Sequence, residues 1–399
     1  MGAFFLGLIL LSLVIWLGLL VFWGQFWRLD QRLEGEEIPL ASLPKICAVI
    51  PARNEAELIP MSLRSLLLQD YPGDFHIFLV DDQSTDGTAA FAEGVAHAVD
   101  KAQQLHIVPG ESLPPGWSGK LWAVEQGIQQ AKTFAPDYFF LTDADIEHDV
   151  SNLRRLVAKA LQEDLNLASV MVKLRCDSFW EKFLIPAFVF FFQKLYPFRW
   201  VNNPKNKMAA AAGGSILIRR EALEQIGGIQ VIRQALIDDC TLAQAIKSGG
   251  QGRQGDKLNN ATSRKIWLGL SSSTRSLRPY ESLQTIWDMV ARTAYTQLNY
   301  SPWLLLGTVV GMTLIYLLPP IATIIGVLIG DGRIALTGLA VWFLMSLAYL
   351  PTIRFYKRPA LLAFSLPAIA FLYTLMTIDS AFRHWQGRGG AWKGRVYPG

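Results

Sequence analysis

Three groups of aspartates sit where predicted elements end or begin: Asp81–Asp82, Asp143 with Asp145, and Asp238–Asp239. Asp143 and Asp145 form an Asp-x-Asp step directly after the apolar run YFFLT. Two carboxylates on one side of a strand-end turn offer hard oxygen ligands to Mg2+ or Mn2+, ions that share such sites with substrate phosphates. The step alone is a common pattern. Its place at the end of a buried strand, repeated by Asp81–Asp82, separates it from solvated turn acids. Asp238 and Asp239 open the helical stretch IDDCTLAQAIKSGG. Aspartate there caps a helix well, and a carboxylate beside a metal–phosphate site also serves as general base on a hydroxyl; spacing leaves both readings open. Lys120, in GWSGKLWAVEQG, follows a Gly/Pro-rich loop and opens a helix, where backbone N–H groups plus an ammonium suit a phosphate. Arg219, Arg220, Arg275 and Arg278 are further cations, and His148 lies three residues after Asp145 without HExxH spacing. Walker A, GxSxG and strand-following GxGxxG patterns are missing, which argues against P-loop, serine-hydrolase and dinucleotide chemistry.

Something must hold these groups together. ICAVIP (46–51), FHIFLVDD (75–82), LHIVP (105–109), DYFFLTDAD (137–145), LNLASVMVKL (165–174) and GGSILIRR (213–220) read as strands between helical stretches such as 52–69 and 121–132. Strands alternating with helices predict βαβ units and a mostly parallel sheet. Ligands in such sheets bind beyond the carboxyl ends of the strands. The acidic groups fall there.

The remainder of the chain is of another kind. Of 399 residues, 51% are apolar and 18% charged, with mean hydropathy +0.25. Residues 1–27, 303–330, 334–353 and 360–378 contain no Asp, Glu, Lys or Arg. Each is close to the roughly 20 residues a helix needs to cross a bilayer. The first lacks a basic n-region and a small-residue cleavage site, so it reads as an uncleaved anchor. The expected layout is an anchor at 1–27, an α/β catalytic domain at 45–280, an interface helix at 281–301, membrane helices at 302–380 and a basic tail at 381–399. FLIPAFVFFF (183–192), within 179–198, is too short to span and reads either as a core helix or as an interfacial one near an acceptor entrance.

Net charge is +4, with Arg354, Lys357, Arg358, Arg383, Arg388, Lys393 and Arg395 near membrane ends. A membrane surface explains that excess, and no basic, aromatic-interleaved stripe points to nucleic acid. Cys47, Cys176 and Cys240 show no CxxC spacing, which fits a reduced compartment. The positive-inside rule favours an inner-membrane protein with a cytoplasmic catalytic domain. Four crossings would leave the basic tail outside, against the rule, unless one run is re-entrant, with Pro319–Pro320 marking a break, or the tail lies on headgroups.

Taken in order, these segments resemble a family 2 glycosyltransferase of GT-A fold, which implies a Rossmann-like mixed sheet with one N-terminal and about three C-terminal transmembrane helices. VIPARNE (49–55) resembles its first-strand signature, VDDQSTDGT (80–88) its nucleotide-contacting VDDxSxDxT, and TDAD (142–145) its metal-binding DxD. GGSILIRREALEQIGG (213–228) resembles the acceptor-side segment and IDD (237–239) the pair carrying the base. The resemblance implies that Pro51, Arg53, Glu55 and Asp82 contact the nucleotide of a nucleotide sugar, whose phosphates Lys120, read above as a phosphate contact, and Asp143 would also meet. It implies that Asp143 and Asp145 hold a divalent cation and that Asp239, beside Asp238, deprotonates the acceptor. The anchor, GWSGKLWA (116–123), DADIEHD (143–149) and the closing membrane helices are most similar to hopene-associated glycosyltransferases, which implies a hopanoid-type lipid acceptor. One departure stands out: where processive synthases carry Q/RxxRW, WDMVARTAYTQL (287–298) keeps Arg292 but has Met289 and Thr293. That disfavours a polysaccharide synthase and leaves Arg292, with Gly214, as candidate phosphate or acceptor contacts. A non-catalytic scaffold is disfavoured because Asp143, Asp145 and Asp239 are all present.

Overall fold

The computed structural model describes residues 2–35, 39–249 and 264–388, and the backbone of 391–392 and 395–396. Lys393 and the side chain of Arg395, part of the expected basic tail, lie outside the described residues.

One eight-stranded sheet organises the catalytic part. Its strands are β1 (Ile46–Ala52), β2 (Phe75–Asp81), β3 (Leu105–Pro109), β4 (Tyr138–Leu141), β5 (Ile146–Glu147), β6 (Leu167–Lys173), β7 (Ile216–Arg219) and β8 (Ile266–Ser276), in the order β3-β2-β1-β4-β7-β6-β8-β5. The first four pair in parallel, which demands cover on both faces, and every residue of β1 is buried. All six strands expected from apolar runs form, and the sheet is mixed, as the GT-A resemblance implies, with four parallel pairings and three antiparallel ones. The reason is β7, which runs antiparallel to both neighbours, β4 and β6. β5 and β8 were not expected. The second half of β8, SSSTRS, is polar, and β5 is two residues long. Their antiparallel pairing sets Ile146 opposite Ser276 and Glu147 opposite Arg275. This short ladder brings the chain after β8 alongside the Asp-x-Asp turn.

Among the described residues, four helical runs are long and apolar enough to cross a membrane: Gly2–Phe22, Pro302–Ile329, Gly332–Phe355 and Ala360–Trp385. Pro319–Pro320 does not break its helix. Proline at 319 deprives the Ile315 carbonyl of its i+4 donor. The chain answers with a π turn over Thr313–Leu317, and the Trp16 indole donates to the Ile315 carbonyl at 2.8 Å. Gly338 lets the third run approach the second, since a Cβ there would sit 2.7 Å from the Pro319 carbonyl oxygen.

The last run is different. At its start, the Arg358 guanidinium donates to the Cys176 carbonyl of the catalytic part. The Phe364 carbonyl accepts from Trp342 Nε1, in the middle of the Gly332–Phe355 helix, at 3.0 Å. The chain then turns, and Leu366–Trp385 returns to the side of the catalytic domain, where Arg383 meets Asp288 at 2.6 Å. Between domain and spans lies Phe179–Leu195, with Leu184, Ile185, Ala187 and Phe190 fully buried and Phe190 packed on Tyr349 at 5.1 Å. Its middle therefore has the surroundings of a core helix, while Phe179 at its start is exposed. Segment 281–301, expected as one interface helix, is two short ones, Leu283–Ala291 and Ala294–Gln297, separated at Arg292 and Thr293.

Candidate active site

The loop leaving β1 is stitched to the loop leaving β2. Asn54, in left-handed backbone at φ 51°, donates its N–H to Ser84 Oγ at 2.9 Å and accepts from the Thr85 N–H at 2.9 Å. The N–H groups of Glu55 and Ala56 donate to Thr88 Oγ1 and Asp86 Oδ2, each at 2.9 Å. The polar residues of VDDQSTDGT thus hold ARNEA in shape. Asp82 is fully buried and meets Arg53 at 3.5 Å. Neither lines the cavities described below, whereas Pro51 and Glu55 do.

Past β4, Asp143 and Asp145 flank buried Ala144. Lys120 Nζ bridges Asp143 Oδ1 at 2.9 Å and Asp238 Oδ2 at 3.0 Å. Arg278 bridges the other pair, with Nε 2.8 Å from Asp145 Oδ2 and Nη2 2.6 Å from Glu55 Oε1. Lys120 is placed by the helix Gly119–Ala131, whose N-cap Ser118 accepts from the Leu121 N–H. Asp239 stands apart from these bridges. Its Oδ2 accepts from the Gly213 N–H at 2.9 Å and its Oδ1 from the Cys240 N–H at 2.7 Å. The helix Asp238–Ser248 has Ile237 at its N-cap and no side-chain cap bond, so the capping reading gives way.

These groups share a cavity of about 280 Å3 whose walls include Pro51, Glu55, Lys120, Asp143, Asp145 and Asp238. Gly213 and Asp239 line a smaller recess beside it, again with Lys120, Asp143 and Asp238. Burial opposes the charge on Lys120, yet Asp143 and Asp238 outweigh it and hold the ammonium protonated well above its ordinary range. Burial, reinforced by the charge of Asp238, pushes the Asp239 carboxyl up to about 6. Burial also raises Asp143, with Lys120 working against it. The outcome is one protonated lysine, a carboxylate pair, and a separate aspartate poised near neutrality.

Among the described residues no cluster of three or more His, Cys, Asp or Glu could cage a metal. Two carboxylates facing a cavity still fit Mg2+ or Mn2+, which take one or two protein carboxylates and complete their shell with substrate oxygens and water. His148 is no ligand candidate. It is buried, bonded to Thr142 Oγ1 at 2.9 Å and Asn152 Nδ2 at 3.2 Å, and burial lowers it to about 3. Gly214 also misses the cavity, since a Cβ there would meet Ile146 and Val172 at 3.2 Å; Gly213 is the lining glycine. Arg219 pairs with Asp164 at 2.7 Å, away from the site. Arg292 lines the same cavity as the carboxylates. The residue that sequence reasoning underweighted is Arg278, because only the β5–β8 ladder carries it to Asp145.

A cleft at the carboxyl ends of this sheet, holding these groups, defines an α/β enzyme of the GT-A class. Residues 47–227, a little under half of the chain, match the family model described as Glycosyl transferase family 2. The chain is 30% identical over 115 residues to Beta-monoglucosyldiacylglycerol synthase of Synechocystis sp., covering 29% of this chain and 22% of that protein. It is 29% identical over 126 residues to Undecaprenyl-phosphate mannosyltransferase of Micrococcus luteus, covering 31% of this chain and 48% of that one. The chain thus spans less than half the length of either relative. A solved mannosyltransferase from Pyrobaculum calidifontis, in complex with GDP-Man and Mn2+, shares the fold with TM-score 0.55 and 17% identity over 96% of this chain and 99% of that chain.

Proposed function

We propose that the protein is a membrane-bound, inverting glycosyltransferase that moves a sugar from a nucleotide-diphosphate donor to a lipid acceptor. The observation that carries this reading is Asp239, held by the Gly213 N–H beside Lys120 and Asp143 and pushed by burial up to about 6. The donor occupies the cavity between Pro51, Glu55 and Lys120, with its diphosphate toward Lys120. Asp143 and Asp145 would hold a divalent cation, which supplies charge neutralisation to the leaving diphosphate. Asp239 takes the proton of the acceptor hydroxyl as its oxygen attacks the anomeric carbon. Asp238 is tied to Lys120, so one free carboxylate serves the reaction, as displacement with inversion requires. Glycolipid and polyprenyl-phosphate names among the relatives support a lipid acceptor, and the hopene-associated resemblance favours a hopanoid within that class. Membranes fed nucleotide sugars labelled in the sugar are expected to yield one labelled sugar on solvent-extractable lipid. Labelled polymer, or no labelled lipid with any donor, overturns the reading.

The last apolar run supports a cytoplasmic orientation of the catalytic domain. Its two ends both meet the catalytic domain side, at Cys176 and at Asp288, and its turn at Phe364 reaches only the middle of the neighbouring helix. We read it as re-entrant, leaving three crossings. Arg354, Lys357, Arg358, Arg383 and Arg388 then share the catalytic side, as the positive-inside rule asks of a cytoplasmic domain in the inner membrane. A fluorescent protein fused after Gly399 is expected to fluoresce, and an alkaline phosphatase fused there to stay inactive. The reverse pair of results would restore a fourth crossing.

A further inference from the structure

Next to the donor cavity lies a larger one of about 760 Å3, between the loop at Trp117–Ser118, the two short helices of 283–297 and the end of the last apolar helix. The two share Ser118, Leu236, Arg278, Tyr280 and Arg292 in their walls. The catalytic chemistry above uses only the smaller. The larger is rich in guanidinium groups. Arg278 is spent on Glu55 and Asp145, and Arg383 on Asp288 and Asp379 at 2.6 and 2.8 Å. Arg292 and Arg388 have no ion-pair partner among the described residues, and their guanidinium groups donate to no carbonyl there. Two unspent arginines thus face one concave space, in which the sole acidic wall residue, Asp288, is already paired.

Local structure explains how they come to face it. Arg292 follows the last turn of Leu283–Ala291, where the chain breaks before the next short helix. Gly387, in left-handed backbone at φ 69°, ends the last apolar helix. The Arg388 N–H then folds back onto the Arg383 carbonyl at 2.9 Å, which turns Arg388 toward the cavity instead of onward from the helix. Arginines near a membrane often do no more than meet bulk phospholipid headgroups. Here they line a space that opens into the donor cavity, and Arg292 belongs to both walls. A planar guanidinium matches phosphate oxygens in pairs, which a neutral headgroup cannot offer.

Building on the lipid-acceptor reading, we propose that this cavity receives the headgroup of an acceptor lipid that carries a phosphate, bound by Arg292 and Arg388, while the accepting hydroxyl reaches toward Asp239. The proposal narrows the lipid class and departs from the hopanoid favoured above: a lipid with a hydroxyl alone leaves both arginines unanswered, so a phosphate-bearing lipid replaces it as the acceptor while the broader lipid-acceptor reading stays in place.

The test uses the full-length protein in detergent and two soluble probes, dihexanoylphosphatidylglycerol and its neutral counterpart dihexanoylglycerol. Calorimetry is expected to give at least about tenfold tighter binding of the phosphate probe, the scale of a charge-assisted contact. Arg388→Ala and Arg292→Ala are expected to bring the two affinities together, and saturating nucleoside diphosphate to leave the difference in place. Equal binding in the unaltered protein overturns the proposal. So does displacement of the phosphate probe by nucleoside diphosphate, which would assign the arginines to the donor. The sugar-labelled lipid from membranes must also be retained on an anion exchanger; a neutral labelled lipid sinks the proposal but upholds lipid glycosylation. If no labelled lipid forms at all, the transferase reading fails, and the probe comparison still reports on the cavity.

Discussion

Asp239→Asn lowers the rate of sugar transfer by about 10²- to 10⁴-fold, the range a positioned general base contributes, while calorimetry finds the nucleotide sugar bound with unchanged affinity. The substitution is close to isosteric, and its remaining amide oxygen can still accept from the Gly213 N–H. Asp239 also makes no ion pair with Lys120, whose partners are Asp143 and Asp238. The donor side therefore keeps its charges. Only the proton acceptor is lost. The same group predicts a pH profile. Burial and Asp238 raise the Asp239 carboxyl to about 6, so it protonates two pH units above an ordinary aspartate. Only the ionised form accepts a proton. Transfer should be flat above pH 6 and fall about tenfold per unit below it, and Asp239→Asn should erase that inflection. A variant that loses donor affinity, or an unaltered protein whose rate holds to pH 4, would remove Asp239 from the role of base.

How much of this was legible in the sequence divides along physical lines. β1, β2 and β4 were readable because buried parallel strands must be continuous apolar runs, and two of them lead directly into acids. β8 was not, since half its residues are polar and its partner β5 is two residues long. With it went Arg278, whose contact with Asp145 spans 133 positions and depends on that ladder. VDDQSTDGT was recognisable as a motif, but that Ser84, Asp86 and Thr88 grip the neighbouring loop is a tertiary fact. Composition also could not separate a run that crosses from one that returns. Residues 360–378 are as free of charge as the others, and the proposed return of that run rests on two tertiary contacts, Trp342 on Phe364 and Arg383 on Asp288.

The second large effect concerns the cation. EDTA should abolish transfer, Mg2+ or Mn2+ should restore it, and neither should rescue Asp145→Asn. The finer expectation is that the ion binds weakly until nucleotide arrives. Asp143 and Asp145 are each occupied by a cationic partner, Lys120 at 2.9 Å and Arg278 at 2.8 Å, and no third acidic or imidazole ligand joins them among the described residues. An incoming cation must compete with both partners and can claim only two protein carboxylates. A diphosphate changes both conditions, since it brings further oxygens and gives Lys120 and Arg278 another anion to hold. Linkage then requires that nucleotide and cation raise each other's affinity by the same factor, about 5- to 150-fold for couplings of ordinary size. Titration of Mn2+ followed by electron paramagnetic resonance, with and without nucleoside diphosphate, measures it. Equal Mn2+ affinity in both titrations, or transfer that persists in EDTA, would mean that the two carboxylates answer to Lys120 and Arg278 alone, with those two cations left to neutralise the leaving diphosphate.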